Sequence, residues 1–160
     1  MNSGRTDRNR IRIRSSALIL REEKILLVQL DGPTRPYPIW IPPGGEVIPG
    51  EPLHEAVIRE VEEEAGIRVE PIRISLHHQF VSPPFHAIEY YWLCDWVGGV
   101  PKLGSDPDRP GDAILTDIAW VPLIELSDRP VFPECLRTGM ERYGRRDGCI
   151  ELQLSDERGV

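Results

Sequence analysis

Glu60, Glu63 and Glu64 stand at positions i, i+3 and i+4 of a segment, residues 50–66, that reads as a helix. At 3.6 residues per turn they share one face, within an arc of about 100°. Carboxylates at these spacings repel one another by a few tenths of a kcal/mol per pair on an exposed helix. On a partly buried face the penalty grows, and one group stays protonated. A divalent cation removes the conflict. Ligands that are all hard oxygens suit Mg²⁺ or Mn²⁺, and the lack of a His or Cys at a matching position argues against zinc. The plain alternative is a solvated, glutamate-rich helix face, and the three acids taken alone favour it. The sequence around them decides.

The helix has clear ends. Gly50-Glu51-Pro52 supplies a start, with Pro52 at the first helical position, where its missing N–H does no harm. Gly66 stops it as the expected left-handed residue after the last turn. Val57, Val61 and Ala65 form the neighbouring stripe and face a core, whereas Glu55 and Glu62 point to solvent. Ala56, one turn before Glu60 and Glu63, leaves room on the acidic face. Upstream, residues 11–20 and 25–30 are apolar, β-branched strand candidates joined by a turn, Arg21-Glu22-Glu23-Lys24. Residues 31–38 hold three prolines and read as a loop, and a brief apolar piece at 39–41 breaks at Pro42-Pro43-Gly44-Gly45. Downstream come extended stretches at 67–80, bent at Pro71, and 86–97, then a long Gly/Pro/Asp loop at 98–112. A strand at 113–121, a helical turn at 122–126 and a helix at 133–143 follow, and the end of the chain alternates weakly over 149–154 before it frays. Strands on both sides of one helix imply a mixed sheet with helices packed on it.

The 160 residues suit one domain, with 1–10 as a flexible arm, 11–145 as the folded unit and 146–160 as a C-terminal extension. No apolar run reaches the roughly 18 residues of a membrane span. The first fourteen residues are polar and basic, with no secretory signal, so the expected location is cytoplasmic. Cys94, Cys135 and Cys149 show neither disulfide-framework nor zinc spacing. A net charge of −7 and a pI near 5.1 argue against general nucleic-acid binding. They leave room for a phosphorylated small molecule that placed arginines or bound cations would help to hold.

Five residues separate Gly45 from Glu51, and seven more lead to Arg59-Glu60-Val61-Glu62-Glu63-Glu64-Ala65-Gly66-Ile67. This resembles the Nudix family, whose signature is G-x5-E-x7-R-E-[aliphatic]-x-E-E-x-G-[aliphatic]. Seven fixed positions agree by accident roughly once in 10⁸ to 10⁹ windows at ordinary residue usage, so chance is set aside. The flanking strand pattern and Trp120-Val121-Pro122-Leu123 also resemble the family's arrangement.

The resemblance implies an α/β/α sandwich with a mixed central sheet, the signature forming loop, helix and loop. It implies a pyrophosphohydrolase acting on a nucleoside diphosphate linked to another group. Glu60, Glu63 and Glu64 would be the principal metal ligands, joined by the Gly44 carbonyl. Arg59 would hold the glutamates in place with Glu51 as its partner, and Gly45, Glu51 and Gly66 would support the site. The cofactor would be Mg²⁺ or Mn²⁺. In the family the general base is sometimes a glutamate of the signature and sometimes an acid on a distant loop. Here Glu63 or Glu64 is favoured, and Glu89, Asp112 and Asp117 read first as surface acids.

Substrate cues are thin. Ser82-Pro83-Pro84 lies about where ADP-ribose-cleaving relatives carry a proline, though a turn between strands also uses prolines. ADP-ribose or a nucleotide sugar therefore ranks ahead of a nucleoside triphosphate or a dinucleoside polyphosphate. Tyr37, Trp40, Phe80 and Phe85 suit base stacking, but the core reading comes first, and His54, His77, His78 and His86 read as structural. Arg12 and Arg14 share one side of a strand and suit phosphate gripping; a charge-protected edge strand is the first reading. Two other classes remain on the same scaffold. One is a non-catalytic nucleotide sensor, which commonly has a degraded signature, and the other is a diphosphate-ester isomerase, which wants a catalytic cysteine such as Cys94. A homodimer fits base rates and nothing in the sequence decides it.

Overall fold

The computed structural model describes residues 10–33, 35–83, 85–104, 113–139 and 156–158. Strand β1 (Ile11–Arg21) turns through Glu22 and Glu23, both at positive φ (50° and 60°), into β2 (Lys24–Asp31). That backbone is the tight two-residue hairpin whose twist matches its strands. Then come β3 (Ile39–Ile41), β4 (Gly44–Glu46), helix α1 (Leu53–Ala65), the long hairpin β5 (Ile67–Ser82) and β6 (Phe85–Gly99), and β7 (Ile114–Pro122). A 3-10 turn (Leu123–Asp128), α2 (Cys135–Gly139) and β8 (Asp156–Arg158) complete the order.

The strands form one mixed sheet in the order β3-β2-β1-β6-β5-β8, with β7 paired to β2 and β4 to β1. The β1–β6 pair is parallel from Ile11↔His86 to Ile19↔Cys94, and β5–β6 is antiparallel. The register of β5 slips between Pro71 and Arg73, where the proline interrupts the ladder. Alternation along β1 and β2 then builds two cores. Ala17, Ile19 and Leu26 pack with Val57, Val61 and Ala65 of α1 on one face. Leu18, Ile25 and Leu27 pack with Leu123, Leu126 and Leu136 of the 3-10 turn and α2 on the other. The sandwich is helix, sheet, helix.

Four sequence expectations change. Pro52 caps α1 from an extended conformation (φ −65°, ψ 147°), so the helix starts one residue later, at Leu53. Residues 42–45 do not simply break the chain, because Gly44, Gly45 and Glu46 pair with Ser16, Ser15 and Arg14 as strand β4. Strand β1 is no edge, since it is flanked by β6 along its length and by β4 and β2 in turn on its other side. Residues 156–158, expected to be frayed, run parallel to β5. Residues 1–9 of the N-terminal arm, Asp112, most of the 98–112 loop, the end of the helix expected at 133–143 and Cys149 lie outside the described residues. Among the described residues no helix is long and apolar enough to cross a membrane.

Candidate active site

Helix α1 lies with Val57, Val61 and Ala65 buried, and this rotation brings Glu60 against Gly45 and Glu64 against Gly44 of β4. Its first turn is tied to the sheet by Ser15 Oγ, which donates to the Leu53 carbonyl at 2.8 Å. Its last turn ends at Gly66 in the left-handed region (φ 67°), where a side chain is disfavoured. The backbone N–H groups of Lys102 and Gly104 donate to the Ala65 and Glu64 carbonyls, both at 2.9 Å. The start of the long loop thus caps the end of this helix.

Glu64 is fully buried, and its Oε2 accepts the Gly44 N–H at 3.0 Å. Glu60 is buried too, its carboxyl laid against Gly45 so closely that a Cβ there would overlap it. Gly44 is equally confined, since a Cβ on it would run into Ser16. Arg59 gathers the cluster. Its Nε and Nη2 donate to the two Glu51 oxygens at 2.8 and 3.0 Å, and its Nη2 also reaches the Glu46 carbonyl at 3.1 Å. Its Nη1 bridges Glu60 (2.8 Å) and Glu63 (3.3 Å). The Arg59 hydrogen bond, with one from the Ile48 N–H and against the opposing effect of burial, holds the Glu51 carboxyl below the usual carboxylate range.

Glu60 and Glu63 turn to Arg59, whereas Glu64 turns to the Gly44 N–H. Among the described residues no three Asp, Glu, His or Cys side chains already converge as metal ligands. The donor set nevertheless fits a hard divalent cation, because Glu60, Glu63, Glu64 and the Gly44 carbonyl offer oxygen alone. Two of these carboxylates already share one cationic N–H group, that of Arg59. Gly45→Ala is expected to lower kcat about 100-fold through displacement of Glu60 and, because Glu60 is buried, to lower the melting temperature as well. Steady-state rates read beside a thermal melt check this.

Glu89 is no surface acid. Its carboxylate accepts Arg14 Nε at 3.1 Å, Ser16 Oγ at 2.7 Å and Tyr91 OH at 2.8 Å. Burial pushes its pKa up, but the Arg14 charge and these hydrogen bonds outweigh burial, and the net direction is down. Arg14 also donates from Nη2 to the Gly44 carbonyl at 3.0 Å, which brings this pair to the site. The sequence signal was a charged residue in each of two apolar strands, and only their pairing gives it meaning. Arg10 and Arg12 pair with Glu46 instead of forming a charged edge.

The other candidates do not gather here. Asp117 is exposed, its Oδ1 accepting the Ile118 N–H. His78 packs edge-on against Phe132, as does Phe80, while His86 bonds Gln79 and His77 and His54 lie beside Tyr90 and Trp92. Trp40 is core, whereas Tyr37 and Phe85 stay at the surface, against the core expectation. Ser82 and Pro83 lie at the β5–β6 turn, and Pro84 is outside the described residues. Cys94 is sealed beneath α1, and burial pushes its thiol up to about 12, which disables it as a nucleophile.

A family model described as NUDIX domain matches residues 10–142. The 8-oxo-dGDP phosphatase of Mus musculus is 31% identical over 111 residues, covering 69% of this chain and 32% of that protein. The ADP-ribose pyrophosphatase of Methanocaldococcus jannaschii is 28% identical over 123 residues, covering 75% and 70%. The crystal structure of the MutT protein from Methanosarcina mazei Go1 superposes with a TM-score of 0.68 at 29% identity, covering 86% and 95%. The chain spans about a third of the length of the mouse and human phosphatases it matches. With the signature intact from Gly45 to Ile67 and the family model matched over residues 10–142, this chain belongs to the NUDIX family.

Proposed function

We propose that this protein is a divalent-metal-dependent pyrophosphohydrolase that cleaves a nucleoside diphosphate linked to another group. One observation carries the reading: on α1, Glu60 lies against Gly45 and Glu64 accepts the Gly44 N–H of the glycine strand, while Arg59 collects Glu60 and Glu63. A divalent ion, Mg²⁺ or Mn²⁺, when bound supplies the positive charge that neutralises the diphosphate oxygens. Glu60, Glu63, Glu64 and the Gly44 carbonyl would hold it. Water adds to one phosphorus, the bond from that phosphorus to the bridging oxygen breaks, and two phosphate monoesters leave. The proton lost by the water passes to a carboxylate. Glu63 suits that role better than Glu64, whose Oε2 is committed to the Gly44 N–H inside the protein. Arg59 and Glu51 orient the acids.

The substrate of first choice is ADP-ribose or a nucleotide sugar, ahead of a nucleoside triphosphate or dinucleoside polyphosphate. The archaeal relative named ADP-ribose pyrophosphatase, matched over most of its own length, supports this order. The test is a panel of these nucleotides with Mg²⁺ or Mn²⁺, following nucleoside monophosphate and inorganic phosphate. Monophosphate release from ADP-ribose or a nucleotide sugar is expected. Binding without turnover across the panel would make the protein a nucleotide sensor instead.

A further inference from the structure

Hydrolysis as proposed makes no use of the Arg14–Glu89 pair, yet the fold sets it in the middle of the sheet. Arg14 and Ser16 of β1 stand in register with Glu89 and Tyr91 of the parallel strand β6. Positions two apart on a strand project from one face, here the face of Leu18 and Tyr91, opposite α1. Both oxygens of Glu89 are taken, one by Ser16 and Arg14 and the other by Tyr91. This fixes the Arg14 guanidinium and turns its other arm onto the Gly44 carbonyl at 3.0 Å. From the α1 side, Glu64 holds the Gly44 N–H, also at 3.0 Å. Gly44 is thus gripped from both faces of the sheet, with no Cβ of its own to interfere. An ion pair this far withdrawn from water is weak evidence for stability, since apolar residues of similar volume often serve as well. Its contact with Gly44 calls for another role.

We propose that Arg14, oriented by Glu89, Ser16 and Tyr91, is a positioning residue that sets the Gly44 carbonyl, and through Gly44 the Glu64 carboxylate, to receive the divalent cation. A carbonyl oxygen has two lone pairs, so Arg14 engages one and leaves the other for the ion. Glu89, with both oxygens engaged, is then not the proton acceptor. This inference rests on the metal reading given under Proposed function.

The experiment is Mn²⁺ titration of the metal-free protein, read by the electron paramagnetic resonance of free Mn²⁺, with a thermal melt of each variant. Arg14→Lys keeps a charge beside Glu89 but loses the fork that serves Glu89 and Gly44 together. The double variant Arg14→Met/Glu89→Met removes both charges, so neither is left buried alone. The Mn²⁺ Kd is expected to weaken about 10- to 100-fold in both variants, the usual cost of losing a group that orients a metal ligand. The double variant should still melt cooperatively near the wild-type temperature. A folded variant with Mn²⁺ affinity within about twofold of wild type, or tighter, overturns the proposal, because that change is far below the expected loss. If Arg14→Lys fails to fold, the double variant decides alone; if neither folds, the pair is a folding element and the proposal falls. A wild-type protein that takes up no Mn²⁺ overturns the metal reading itself.

Discussion

Replacing Glu63 with glutamine is expected to cut kcat on the order of 10³-fold, while the melting temperature stays within a few degrees of wild type. The two halves of this result have separate causes. Glu63 is the most open of the three helix acids, with 37% of its side chain exposed, and its contact with Arg59 is long, at 3.3 Å. An i,i+4 pair of that kind contributes about 0.3–0.5 kcal/mol, so neutralising it barely disturbs the fold. Glu60 and Glu64 are sealed, and a change there would mix folding with chemistry. Glutamine has the size of glutamate but takes no proton from water and offers a cation no charge. Rates and melts on the same preparation check both halves. A variant with unchanged kcat and a raised KM would move Glu63 from chemistry to binding, and full activity would overturn its place in the site.

Withdrawal of divalent ions is expected to have a larger effect still. A diphosphate brings several negative charges to a protein of net charge −7. Among the described residues, the arginines that bond the helix acids or Gly44 are already committed, Arg59 to Glu51, Glu60 and Glu63, and Arg14 to Glu89. Neither has a free charge to give the substrate. A metal ion contributes several kcal/mol of charge stabilisation in such reactions, and its loss costs about 10³-fold or more. Protein treated with chelator and then desalted should show no turnover above background. Added Mg²⁺ or Mn²⁺ should restore it, and Ca²⁺, larger and with looser geometry, should restore less. Undiminished hydrolysis in excess chelator would contradict the assignment.

The parts of this site that were legible in the sequence are those fixed by local spacing. On α1, Val57, Val61 and Ala65 are buried, Glu55 and Glu62 are exposed, and Gly66 ends the helix in the left-handed region. Each follows from a 3.6-residue period or from the freedom of glycine, and neither needs knowledge of the rest of the chain. The contact of Arg59 with Glu51 spans eight residues and follows from the resemblance to the family's signature, not from helix spacing. What escaped depends on pairing at a distance. Strand β4 carries no β-branched residue, and its two glycines make room for side chains from elsewhere, Gly44 for Ser16 of β1 and Gly45 for Glu60 of α1. Arg14 and Glu89 lie 75 residues apart, and each alone resembles a solvated charge on a strand. Only the parallel β1–β6 register makes them a half-buried pair beside Gly44. The basic segment looked like an edge for the same reason, since the strand that covers it comes much later in the chain.

If the acids of α1 and the glycine strand form a cation site on which a diphosphate is opened, crystals grown with Mn²⁺ will hold the ion there, and diffraction collected at the manganese absorption edge will locate it. The expected result is an anomalous peak within coordination distance of the Gly44 carbonyl and the carboxylates of Glu60, Glu63 and Glu64. Glu60 and Glu63 left on Arg59, Glu64 left on the Gly44 N–H and manganese absent from between them, in a protein inert toward every diphosphate offered, would contradict the account.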